Sequence, residues 1–174
     1  MKVGLTSQDI AQGIALIDFL KSGQTLGTIM GCSLEVQEAI YHRGHTLYNQ
    51  AKYDDAMRVF AYLMMANHVD RRYYIGFAAC LQMQRRYTDA IKYYGVASVL
   101  KLTDPEPPMH MAECHLALGD AAQAATALDY AITQARAHEE HHGLVPRLEA
   151  MQAFLGNDQK ESTYARAETA SSEA

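Results

Sequence analysis

A spacing of 34 residues governs this chain. Ala56, Ala90 and Ala124 recur at that interval, and aligning on them brings Gly44, Ala78 and Ala112 into one column. Leu47, Leu81 and His115 form a second column, Tyr53, Tyr87 and Ala121 a third, and Phe60, Tyr94 and Leu128 a fourth. Columns kept in step over three copies mark one supersecondary unit written three times. A helical repeat cannot bury its apolar face alone, so stacked copies form a superhelix whose inner groove usually docks another chain. The pattern points to a binding protein before an enzyme.

The interval is the period of the tetratricopeptide repeat, a pair of helices. Composition agrees, because Ala, Leu, Met and Tyr dominate the apolar residues while runs of Val and Ile are scarce, which favours an all-α fold. The 174 residues fit one domain with a sizeable core. A formal charge of -5 leaves no basic stripe for phosphates, so nucleic acid is not expected as a direct partner. No stretch approaches the roughly 18 uninterrupted apolar residues of a membrane span. Met1-Lys2-Val3-Gly4 lacks the basic region and apolar block of a signal peptide. Together these features predict a cytoplasmic location without membrane insertion. Cys32, Cys80 and Cys114 are odd in number and form no CxxC pair, which argues against disulfides and zinc knuckles. Cys80 and Cys114 share one repeat position and read as packing thiols.

Residues 1–33 read as an N-terminal helical region. Thr6 or Ser7 can cap a helix whose Ile10, Ile14, Ile17 and Leu20 recur at helical spacing. That stripe either caps the stack or pairs with a second copy, and the residues alone leave both open. Residues 34–155 hold the repeats, at 37–70, 71–104 and 105–138, and a closing helix. Helices are expected near Leu34 to Asn49, Tyr53 to Asn67, Arg71 to Gln84 and Tyr87 to Leu100. Asp104 as cap and Pro105 at the first helical position open the third repeat, and Gly119-Asp120 turns between its helices. Leu144, Leu148, Met151 and Leu155 form the stripe of the capping helix, with Pro146 in its opening turn. From Gly156 the chain turns polar and small and reads as a mobile tail over 156–174.

In this architecture the first helix of each pair lines the concave face. Steps of three, four and three residues keep positions two, five, nine and twelve on one side. In the first repeat these are Glu38, Tyr41, His45 and Tyr48; in the second, Arg72, Ile75, Ala79 and Gln82. In the third they are Glu106, Met109, Glu113 and Leu116. The predicted floor has an aromatic end, a small middle at Ala79 and a Met and Leu end. It suits an extended peptide with spaced apolar anchors, whose backbone Arg72, Gln82 and Glu113 would bond. The competing reading has Tyr41 and Tyr48 packing the cap helix as core.

His138-Glu139-Glu140-His141-His142 satisfies the HExxH pattern, in which two histidines one helical turn apart bind zinc. Here Gly143 and Pro146 follow closely, no second motif supplies a third ligand, and a repeat stack offers no cleft at that edge. The segment reads as a solvated turn, and no metal, cofactor or catalytic residue is assigned.

The blocks Tyr48-Asn49-Gln50-Ala51-Lys52-Tyr53-Asp54-Asp55-Ala56 and His68-Val69-Asp70-Arg71-Arg72-Tyr73-Tyr74-Ile75-Gly76-Phe77-Ala78-Ala79-Cys80 are more specific than the period. With Pro105-Glu106-Pro107-Pro108-Met109-His110-Met111-Ala112-Glu113-Cys114-His115-Leu116, they resemble the class II chaperones of bacterial type III secretion over about residues 8 to 155. The resemblance implies a cytoplasmic chaperone, without ATP or catalysis, that holds hydrophobic translocator proteins soluble and apart before export. It places an extended translocator segment in the concave groove at positions that include Tyr41, His45 and Tyr48; where the family commonly has an aromatic, this chain carries His45. It further implies homodimerisation through the N-terminal region, here Ile10, Ile14 and Ile17, and some family members act as coactivators of a transcriptional regulator. The alternative from the repeats alone is a general scaffold for assembling folded proteins or C-terminal peptides, for which a basic carboxylate clamp would be needed and only Arg72 is available.

Overall fold

The computed structural model describes residues 6, 25–29 and 31–156. The stripe of Ile10, Ile14, Ile17 and Leu20, the Ser7 cap and the tail beyond 156 lie outside the described residues. Gly156, expected to begin the tail, still belongs to the last helix.

After a short helix α1 (Leu26–Ile29), three pairs follow: α2 (Leu34–Asn49) with α3 (Tyr53–Ala66), α4 (Arg71–Met83) with α5 (Tyr87–Leu100), and α6 (Glu106–Ala117) with α7 (Ala121–Ala137). A 3-10 turn, Glu139–Leu144, leads into α8 over residues 145–156. The described residues contain no strand. From α2 to α7 each helix packs on its neighbours in sequence, and the short connections make adjacent helices antiparallel. The first helices also meet directly, α2 touching α4.

The start signals follow elementary capping chemistry. Side-chain oxygens of Ser33, Asp70 and Asp120 accept from the backbone N–H groups of Val36, Arg72 and Gln123. Asp104 accepts from Glu106 at 3.0 Å, but α6 begins one residue later than expected, with Pro105 at the cap position and Glu106 first. Asp104 is buried and its other oxygen faces Arg71. Asn67 and Gln84, expected as last helical residues, fall one past the ends of α3 and α4. Within each pair the first helix ends in the same way. Ala51, Arg85 and Gly119, again 34 apart, adopt φ of 56°, 60° and 76°. Their N–H groups reach back to Tyr48, Gln82 and Leu116, while those of Lys52, Arg86 and Asp120 reach Leu47, Leu81 and His115, each at 2.9 Å. This is the Schellman closure, which favours glycine at the left-handed position. Only the third repeat supplies one.

The alignment columns are the core. Ala56, Ala90 and Ala124 and the bulky Phe60, Tyr94 and Leu128 are fully buried, as are Ala78 and Ala112. Phe60 carries the first interface. A Cβ added at Gly44 on α2 would lie 2.9 Å from the Phe60 ring, and one at Gly76 on α4 would lie 2.6 Å from it. The two backbones therefore clasp one ring. The third repeat is closed from beyond by α8, whose Leu148 and Leu155 are buried with Leu128, Ile132 and Ala135, and Leu144 and Met151 pack alongside.

Gly76→Ala is expected to destabilise the protein by about 1–3 kcal/mol, although alanine is the better helix former by about 1 kcal/mol. At Gly95, in α5 with nothing near its would-be Cβ, the same substitution should stabilise by roughly 0.5–1 kcal/mol. Urea unfolding of both variants checks the pair, and combining Gly76→Ala with Phe60→Leu should recover part of the loss.

Candidate functional site

The positions expected to line the concave face lie on α2, α4 and α6, the first helices of the pairs. At the N-terminal end Tyr41 is half-buried, with ring centroids 4.6 Å from His45, 6.0 Å from Phe60 and 5.7 Å from Tyr73. His45 is exposed and stands edge-on to Tyr41 and to Phe60. Desolvation on the ring side that meets Tyr41 and Phe60 holds the His45 imidazole below its ordinary pKa, helped by His42, while burial raises the Tyr41 and Tyr48 phenols. One turn on, Tyr48 packs against Tyr53 at 5.6 Å. Both tyrosines thus contribute to the first core cluster and leave part of their rings on the surface. Whether any N-terminal helix covers them lies outside the described residues.

Arg72 is a keystone of this end. Its guanidinium donates to Glu38 Oε1 at 2.5 Å, to Asp70 Oδ2 at 2.6 Å, and lies 4.9 Å above the Tyr41 ring. Hydrogen bonds to Asp70 and then Glu38 raise its pKa further. Two carboxylates thus hold the guanidinium over the Tyr41 ring.

The middle of the face is formed by half-buried Ile75 and Ala79. Beyond it Gln82 accepts from the Tyr94 hydroxyl at 2.7 Å and donates to Glu113 at 3.0 Å. Glu113 also faces His110 Nδ1 at 2.8 Å and accepts from Arg147 of α8 at 2.9 Å. His110 stacks on Tyr94 with centroids 5.2 Å apart. Hydrogen bonds from His110 and Gln82, with the Arg147 charge, hold the Glu113 carboxyl at about 2, against the cost of its burial. Gln82 and Glu113 are therefore partnered within the floor instead of standing free for a ligand backbone. Leu116 is half-buried and contributes surface at the far end. Met109 departs from expectation: it is 3 % exposed and clusters with Leu128 and Leu148. Helices α7 and α8 cover the side of α6 on which it lies, so Met109 belongs to the core.

A hollow of about 530 Å³ lies at the N-terminal end between Thr25, Gly31 to Leu34, Gln37, Asn67 and Val69. Cys80 and Cys114 are buried, and burial pushes both thiols up to about 12, which removes them as nucleophiles at neutral pH. Among the described residues no group of three or more His, Cys, Asp or Glu could hold a metal ion. The HExxH histidines do not share an α-helical turn, since α7 ends at Ala137, His138 is extended and His142 faces the Arg136 carbonyl at 3.1 Å. Among the described residues no helix is long and apolar enough to cross a membrane.

No protein-family model matches the sequence. The chain is 34% identical over 115 residues to low calcium response locus protein H of Yersinia pestis, covering 66% of this chain and 68% of that protein. Among solved structures, the type III secretion translocator chaperone SycD of Yersinia enterocolitica superposes with a TM-score of 0.72 at 31% identity, over 74% of this chain and 96% of that one. PcrH in complex with the chaperone binding region of PopD superposes with a TM-score of 0.70 at 34% identity, over 73% and 96%; PcrH is a Pseudomonas aeruginosa protein.

The Glu113 network makes stability depend on acid. The folded pKa lies below the ordinary 4.5, so the contribution is complete well above pH 4.5 and is lost as pH falls toward about 2. Between pH 5 and 3.5 the wild type should lose about 1 kcal/mol more stability than Glu113→Gln. Urea titrations of both proteins across that window measure the difference.

Proposed function

The chain belongs to the translocator-chaperone family of bacterial type III secretion, and we propose that its concave face holds an extended segment of a hydrophobic translocator before export. The observation that carries this reading is the floor itself: the partly exposed rings of Tyr41, His45 and Tyr48, followed by Ile75, Ala79 and Leu116, on three helices of one face. An extended chain presents side chains at fixed intervals, and a row of shallow apolar sites at repeat spacing matches it. PcrH, of the same fold, carries the chaperone binding region of PopD. Covering one apolar segment lowers the aggregation tendency of a protein built to enter membranes. Ordering the segment costs several kcal/mol, which keeps affinity moderate and release feasible. The action takes place in the cytoplasm and needs no catalysis.

The general-scaffold reading loses its one candidate clamp, because Arg72 is engaged by Glu38 and Asp70. Co-expression with the hydrophobic translocators of the same secretion locus, followed by co-purification and size-exclusion chromatography, tests the proposal. A soluble complex is expected, with affinity reduced on the order of 10- to 100-fold by Tyr41→Ala with Tyr48→Ala at unchanged helicity. Translocators that remain insoluble and unbound would overturn it.

A further inference from the structure

Of the four charged side chains at the concave positions, three are paired. Glu38 holds Arg72, and Glu113 holds Arg147 and faces His110. Glu106, at position two of the third repeat, has no side-chain hydrogen bond or ion pair among the described residues. Its backbone N–H is taken by Asp104, which leaves its carboxylate with no part in the cap. The carboxylate is half-exposed, and its charge is felt at Tyr41 and His45 on α2 and at Tyr94 on α5. Glu106 occupies the repeat position that Glu38 and Arg72 hold in the first two repeats. At the neighbouring concave positions Glu38 is paired with Arg72 and Glu113 with Arg147, and Arg71 is taken up by Asp104. The chain as a whole is also acidic, at -5.

We propose that Glu106 is a specificity-determining residue of the groove, which receives a lysine or arginine of the bound segment lying between its apolar anchors. The inference rests on the groove reading given above. A half-exposed carboxylate with no side-chain partner among the described residues attracts a ligand cation. The aliphatic stem of lysine or arginine can lie along the same apolar floor that takes the anchors, so charge and burial act together. An acidic residue in that register meets like charge and is excluded, which discriminates among segments of equal hydrophobicity.

The probe is a set of acetylated ten-residue peptides with two leucine anchors and a single lysine, glutamine or glutamate moved through the intervening positions. Binding is read by fluorescence anisotropy. One register should favour lysine over glutamine by about 5-fold and glutamine over glutamate by a similar factor, with the preference shrinking in high salt. Glu106→Gln should abolish the preference, and Glu35→Gln, an exposed change in the first turn of α2, should leave it intact. A role for Glu106 confined to the α6 N-terminus would alter thermal stability and leave the lysine preference unchanged, which overturns the proposal. Peptides that bind with no lysine preference overturn it as well, while the groove reading stands if Tyr41→Ala weakens them. If no peptide binds, or binding ignores Tyr41→Ala, both readings fall.

Discussion

The seating of Phe60 between two glycines sets the geometry on which the concave face depends. With no side chain at Gly44 and Gly76, the backbones of α2 and α4 approach the same buried ring from two sides. That approach brings Tyr73 of α4 and Tyr41 of α2 to 5.7 Å, and lets Arg72 reach Glu38 across the interface. The second interface is filled differently. The residue 34 positions after Gly76 is His110, whose ring stacks on Tyr94, the counterpart of Phe60. There the helices meet ring on ring, and Gln82, Glu113 and the Tyr94 hydroxyl complete the joint with hydrogen bonds. One repeat pattern thus yields a joint built on a buried phenylalanine ring with an ion pair at its edge, followed by one built on a tyrosine and a hydrogen-bond network.

This difference gives the groove its polarity. At the N-terminal end the charges are spent holding Tyr41 in place, and the surface left over is aromatic. At the C-terminal end the charges tie α8 to α6 through Arg147 and Glu113, so the closing helix is fixed electrostatically as well as by Leu148 and Leu155. Under the proposed groove reading, a ligand laid along the face would meet rings, then small aliphatic surface at Ile75 and Ala79, then the Gln82, Glu113 and His110 network. Such a gradient gives an extended segment a preferred direction and register.

Much of this was legible from periodicity alone. The alanine column located the helix pairs to within a residue, because small residues recur only where helices must approach, and the three- and four-residue steps placed Tyr41, His45 and Tyr48 on one helix, where Tyr41 and His45 meet ring to ring. What escaped depended on neighbours distant in sequence. Met109 has the spacing of a lining residue, yet α7 and α8 bury it. Gln37 reads as an ordinary polar helix residue, but it is buried, donating to the Cys32 carbonyl and facing Asn67 and Tyr73 from elsewhere in the chain. Ala51 and Arg85 carry no mark of the left-handed turn they adopt; only Gly119 announces it. Arg72 looked free because its partner Glu38 lies one whole repeat away.

The central claim is that the translocator lies on the first helices of the pairs and not on the second. Site-specific photocrosslinking in the co-purified complex tests this most directly, with a photoreactive phenylalanine placed either at His45, in the groove, or at Val99, which is 74 % exposed on α5. Crosslinks to the translocator from position 45 and none from position 99 are the predicted result. Crosslinking from position 99 alone would place the partner on the opposite face and contradict the account.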